Sequence, residues 1–491
     1  MNSTDLRPYG GAVLTMFILT ALLAAGAVCS ASADEAFKAH LVCREIALAK
    51  AMAGMIPDSV KGSPDGRHVA YRVKQNEREI LMVDGIAGKP YDQIVAFQFS
   101  PDGARCAYIA RLAEKKRVVT DGKEGKAYDG IEWFDLHFSR DGRHIGFIAR
   151  SGTFDAPDAY AQAVVDEKEG AKYALISDLE FSPDAKHTAF RFQQLHQVRY
   201  EADMQVAVDG VAKDASMVRC RFGPDGRHVA YAIRRAKKMV VELDGKTIGK
   251  ECDLIDMKGV FFSPDGKRTA YWTKDGDDWR VVVDGVAQNA YPRKRVPMGP
   301  DNMEPITFSP DSKHVAYPAG QVAVIDGVET ERYNVVYDSV VYSPDGKRLA
   351  FAALRDRECI IVLDGKHGKP YTQVYTPQFS PDSLRLAYMV WNSEGDTWQS
   401  VVDGIAGPKY QKVGGTRFAP DDAMGCFSPD SRHFAYKASR KGKWILAVDG
   451  TESKEFDEFV PGTGIVFDTP TTFHVLARRG DAFLRIEGQI L

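Results

Sequence analysis

Short stretches in which apolar and polar residues alternate recur along the chain in groups of four, separated by turn residues. One group occupies residues 96–99, 106–109, 117–120 and 128–133. Alternation with period two lines every second side chain on one face of a β-strand, and runs this short predict a four-stranded antiparallel sheet. The group then repeats. Its landmark is an aromatic residue followed by Ser-Pro-Asp-Gly or Ser-Pro-Asp-Ser, a basic pair, Ala-Tyr or Ala-Phe, and a Val-rich stretch ending in Asp-Gly. Ten copies centre on Asp65, Asp102, Asp141, Asp184, Asp225, Asp265, Asp311, Asp345, Asp382 and Asp430, at a mean spacing of about 41 residues. That is the length of a β-propeller blade and not of a helical solenoid repeat.

The turn chemistry agrees. Pro pre-sets φ at the start of each tight turn, Asp bonds nearby amides, and Gly takes positive φ without strain. Asp-Gly after a Val run, as at Asp84-Gly85 and Asp121-Gly122, is a hairpin signal. Two ring positions recur: the aromatic before Ser (Phe99, Phe138, Phe181) and the one after Ala (Tyr71, Tyr108, Phe190). Both sets are expected in the apolar layer between blades, each ring contributing about 1.5–3 kcal/mol when buried.

In these residues, from Ser63 to Gly450, the chain resembles the TolB-type propeller repeat, a relative of WD repeats also found in prolyl-oligopeptidase-type enzymes. The resemblance implies an all-β fold of four-stranded antiparallel blades. It says little about function, because one propeller architecture serves many. TolB carries an α/β domain ahead of its propeller, whereas only about thirty residues separate the expected cleavage point from the first motif here. The peptidases need a hydrolase domain with a G-x-S-x-G elbow, which this chain lacks.

The N-terminal part departs from the repeat. Residues 12–28 are apolar and uncharged, and Ala31, Ser32 and Ala33 follow as an A-x-A cleavage site, so residues 1–33 read as a signal peptide. Lipid attachment at Cys29 is the alternative, although Gly26 and Val28 fit a lipobox poorly. Residues 34–55 predict one helix on the spacing of Phe37, Leu41, Ile46 and Leu48. At the other end, Val466-Phe467-Asp468 stands in for an eleventh motif and residues 485–488 for a hairpin turn. This last group lacks a fourth strand, which the stretch near residues 55–60 is placed to supply, closing a ring through the termini.

Eleven blades exceed the usual four to eight, so the expectation is two propellers, with six repeats in residues 56–300 and five in 301–491; one large ring is the alternative. The Pro-rich stretch 292–305 sets that boundary.

Lys plus Arg number 64 and Asp plus Glu 67, with the signs mixed, which argues against nucleic acid as a partner. Six histidines share the basic-pair slot after the turn, which marks them as blade surface. No metal or cofactor is expected, no catalytic triad is legible, and the six cysteines outside the leader are scattered. Two off-consensus excursions, residues 151–162 and 193–204, lengthen the connection between second and third strands. Their Phe154, Tyr160, His196, Arg199 and Tyr200 suit a partner-binding rim. The residue before the first aromatic is polar in the first five blades, as Lys61, Gln98, His137, Glu180 and Arg221, which marks either a ligand-facing channel or pairing between blades. The reading is a non-catalytic binding scaffold, periplasmic or secreted, that holds a protein, peptide or envelope polymer. A propeller hydrolase or lyase acting on polysaccharide is the rival. No membrane span is expected after cleavage, and oligomeric state is open.

Overall fold

Each repeat closes into one antiparallel sheet, and the computed structural model contains eleven of them in a single ring. It describes residues 40–152, 158–195, 204–213, 217–256, 259–292, 305–375, 377–414 and 425–491. Blade 1 is typical. Its strands Lys61–Gly62, Val69–Gln75, Arg78–Val83 and Ile86–Tyr91 hydrogen-bond in chain order. The fourth strand is exposed at five of its six residues and forms the outer edge, so the first strand faces the channel. Each Ser-Pro-Asp turn lies beside the Asp-Gly hairpin of its own blade, and together they make one face of the ring, the motif face. The remaining connections make the distal face.

The motif is a clamp built for this geometry. Ser63 Oγ donates to Asp65 Oδ1 at 2.5 Å and accepts the N–H of His68 at 2.9 Å. Asp84 and Gly85 have φ of +49° and +79°, the type I′ hairpin that Asp-Gly favours. Asp84 then accepts the N–H of Val69 and meets the His68 ring, tying third-strand hairpin to second strand. Where the slot holds Arg, the side chain reaches the next blade. Arg105 donates to the carbonyls of Gly142 and Arg143 and lies 5.6 Å from the Phe138 ring centroid. Where Ser replaces Gly, it tolerates positive φ and its hydroxyl accepts an N–H from the preceding blade, as Ser312 does from Asp265.

The two ring positions differ. The residues after Ala are buried throughout, from Tyr71 to Tyr436. Most of those before Ser, including Phe99, Phe138, Phe181 and Phe262, are only half-buried. Their faces are platforms for the preceding blade's His or Arg, as in the His68–Phe99 and His144–Phe181 stacks.

Eleven apolar clusters occupy the seams, each straddling two consecutive blades. One joins Val69, Tyr71 and Met82 of blade 1 to Val460, Leu476 and Phe483 of blade 11. The expected division into two propellers near residue 300 is therefore overturned. Trp272, Val281, Ile306, Phe308 and Tyr317 form one continuous cluster across that position, and residues 39–491 make a single unit.

Closure also corrects the reading of the termini. Residues 41–50 are a strand, Leu41–Lys50, and not part of a helix; residues 34–39 lie outside the described residues. The strand pairs with Ala482–Ile490 from Leu41↔Ile490 to Lys50↔Ala482 and supplies the outer strand of blade 11. Helical spacing loses here because an open sheet edge offers a row of backbone partners. Residues 55–60 instead enter blade 1, through the Met55↔Val73 bridge and the Pro57–Ser59 turn. Residues 485–488 form no turn either and run through the middle of the closing strand. Gly488 is needed there, because a Cβ would stand 2.1 Å from the Phe473 ring.

The histidine slot yields a pH prediction. Six histidines place Nδ1 2.6–2.7 Å from their hairpin aspartate. For His228 the bond to Asp244 holds the imidazole above its ordinary value of 6.5. A raised folded value means that the contribution to stability is complete below the unfolded value and is lost as pH rises through the folded one. An NMR titration should find the His228 midpoint above 6.5 and returned towards it by Asp244→Asn. Equal midpoints in the two proteins would contradict the pairing.

Candidate functional site

A regular repeat uses its recurring residues for the blade, so a site is sought where one blade departs from the others. Blade 3 interrupts its inner strand, as blades 6, 9, 10 and 11 also do, and is set apart by the residues its interruption exposes. Gly130 pairs with Arg150 and His137 with Gly146, and between them the chain leaves the sheet edge in a turn at Trp133–Asp135. An insertion on the inner edge has only the channel side to occupy. Trp133 is 66% exposed and Phe134 53%, and their rings meet edge to face at 5.6 Å. Such exposure for a paired Trp and Phe has no packing rationale, since every other described Trp is partly or fully buried.

The turn is anchored from beneath. Asp135 is buried and accepts from Arg150 Nη1 at 2.9 Å. Burial raises its carboxyl above the ordinary value, and Arg150 opposes that rise. Glu132, next to the pair, lies 3.8 Å from Lys116 of blade 2.

Beside this turn, on the distal face between blades 3 and 4, lies a cleft of about 360 Å³. Glu132, Arg150, Ser151, Gly152 and Tyr160 are among its walls. Tyr160 is half-buried, and Lys172 Nζ lies 4.1 Å from its ring centroid. Ser151, and then Lys172, hold its phenol below the ordinary value. Asp129 binds Lys115 at 2.5 Å and the Gly152 N–H at 2.9 Å, which fixes the cleft's edge. The cleft thus holds Tyr160, one of the expected rim residues, together with Glu132, the chain neighbour of the exposed aromatic pair. Phe154, His196, Arg199 and Tyr200 lie outside the described residues.

The polar inner positions serve the seams. Lys61 Nζ donates to the Phe97 carbonyl and Gln98 Nε2 to the Leu136 carbonyl, each on the next blade. Glu180 lies 3.6 Å from Cys220 Sγ and 4.0 Å from Arg221 in blade 5, and burial raises its carboxyl. His137 is pushed below its ordinary value by burial, with Asp178 pulling the other way. Asp178 itself takes φ +53° in a bulge of blade 4 and accepts from Arg191. This is pairing between and within blades, the second of the two readings the sequence left open.

The sequence reading missed Trp133 and Phe134 because 128–133 also fits a strand by alternation. The length between the Asp121-Gly122 hairpin and the next motif gave no signal, since the corresponding intervals before Asp265, Asp311 and Asp430 are longer. The motif aspartates belong to the turns: Ser309 holds Asp311 down to about 2. Among the described residues no group of three His, Cys, Asp or Glu side chains is placed to hold a metal ion, and the cysteines are free thiols. No described helix is long and apolar enough to cross a membrane.

No protein-family model and no curated protein matches the chain. Among solved structures it is similar to a eukaryotic initiation factor, at 11% identity and a TM-score of 0.39, over 72% of this chain and 96% of that one. It is also similar to the dihydro-heme d1 dehydrogenase NirN in complex with DHE, at 14% identity and a TM-score of 0.30, over 65% of this chain and 72% of the enzyme.

Proposed function

We propose that the chain is an exported, non-catalytic propeller scaffold that holds a protein or peptide at the distal mouth of blades 3 and 4. The observation that carries the reading is the exposed Trp133–Phe134 pair on a turn pinned by the ion pair of the buried Asp135 with Arg150. Aromatic anchors on a rigid base lose little entropy on binding and dominate interface energetics. The adjoining cleft adds hydrogen-bonding groups around Tyr160 and a wall for a second contact. A non-catalytic role is supported by the state of the nearby carboxylates. Asp129, Asp135 and Asp178 are each held by a cationic partner, which fits anchoring better than proton transfer. Export rests on the leader-like residues 1–33.

The test begins by identifying the partner in a pull-down from the native envelope, then measures affinity with purified components. Changing Trp133, Phe134 and Tyr160 together to Ala should cost at least about 2 kcal/mol of binding, roughly thirtyfold in Kd, with the melting temperature nearly unchanged. Full affinity in the triple variant would remove this mouth as the contact.

A further inference from the structure

We infer that the seam between blades 1 and 2 contains a second site, a pocket for a small, neutral, apolar molecule. A cleft of about 390 Å³ opens there on the motif face, with Leu81, Val83, Phe99 and Tyr108 among its walls. That is the size range of pockets that take small organic ligands, roughly 300–1,000 Å³.

The next seam shows why this one is open. At the equivalent place between blades 2 and 3 only about 30 Å³ remains. There Lys123, which follows the blade 2 hairpin, reaches Glu167 in the hairpin of blade 3 at 3.4 Å and straps the mouth. The corresponding residues at the first seam are Ile86 and Gly122, which cannot form that bridge. The residue after the motif turn differs as well. It is Arg, Lys or Leu in the nine other copies and Ala104 here, so the long side chain that would overhang the mouth is missing.

The chemistry of the walls selects the ligand. The charged groups at the mouth are already engaged, His68 with Asp84 at 2.6 Å and Arg105 with Asp121 at 2.9 Å, and Arg105 also donates to two carbonyls of blade 3. An ionic ligand would have to break one of these pairs, whereas a neutral apolar one displaces only water from apolar walls. Cys106 adds a soft neutral surface, its thiol pushed up to about 12 by burial.

The neutral naphthalene dye prodan is the probe, followed by its fluorescence on the full chain. Saturable binding at one site per chain is expected, with affinity at least tenfold weaker in Ala104→Arg, which restores the residue type of the other copies. An Ile86→Lys plus Gly122→Glu variant should install the strap of the next seam and weaken binding likewise. A Trp133→Ala plus Phe134→Ala variant should bind prodan as the unaltered protein does, which separates this pocket from the distal mouth. Absent or non-saturable binding, unchanged affinity in both pocket variants, or loss of binding in the distal-mouth variant overturns the assignment.

Discussion

Deleting residues 483–491 is expected to destabilise the protein by about 6–12 kcal/mol, far more than nine residues of an ordinary surface strand. Four side chains of this segment are buried, Phe483, Leu484, Ile486 and Ile490, and each is worth about 1.5–3 kcal/mol. The loss is not confined to them. The strand is bonded on one side to Thr472–Arg479 and on the other to Leu41–Lys50, so its removal strands the N-terminal segment and opens two sheet edges. Phe483 also packs on Tyr71 of blade 1 at 5.2 Å between ring centroids, within the cluster that joins the last blade to the first. The deletion therefore opens the ring as well as shortening a blade. Denaturant unfolding of full-length and truncated chains measures the difference. Coincident transitions would show that closure is made elsewhere.

Changing Trp272 to Ala is expected to cost about 3–5 kcal/mol, the range for emptying a large buried aromatic site. The side chain is fully buried and meets Tyr317 of blade 7 edge to face at 5.4 Å. It stands at the seam where a boundary between two propellers was expected, so the variant also probes whether blades 6 and 7 are energetically joined. A double-mutant cycle with Tyr317→Ala should return a coupling of about 0.5–1.5 kcal/mol for the ring pair beyond its burial. Purely additive costs would mean that the seam is not a working contact. By contrast Trp133→Ala removes a mostly exposed ring and should change stability by no more than about 0.5 kcal/mol. The two tryptophans differ in burial, and burial separates scaffold from contact surface.

Local order was legible because it is set by neighbours in the chain. Ser-Pro-Asp-Gly encodes its own turn through the Ser and Asp side chains, and Asp84-Gly85 its own hairpin through positive φ, so blade count, strand order and the buried ring after Ala followed from the repeat. The half-buried state of Phe99 and Phe138 did not follow, because it depends on His68 and Arg105 of the preceding blade covering them. Nor did the single ring. Whether eleven blades close once or divide is decided by how each seam packs, and Trp272 against Tyr317 is a contact between residues 45 positions apart that no local pattern announces. Leu41–Lys50 shows the same limit most clearly. Its spacing permits a helix, and it becomes a strand only because Ala482–Ile490, more than four hundred residues later, presents an edge of unpaired backbone groups. The site divides in the same way. Tyr160 was marked by the length of its loop, a property of the sequence alone. The exposure of Trp133 and Phe134 arises from a turn on an inner strand that has no neighbour on its channel side, and only the closed ring creates that side.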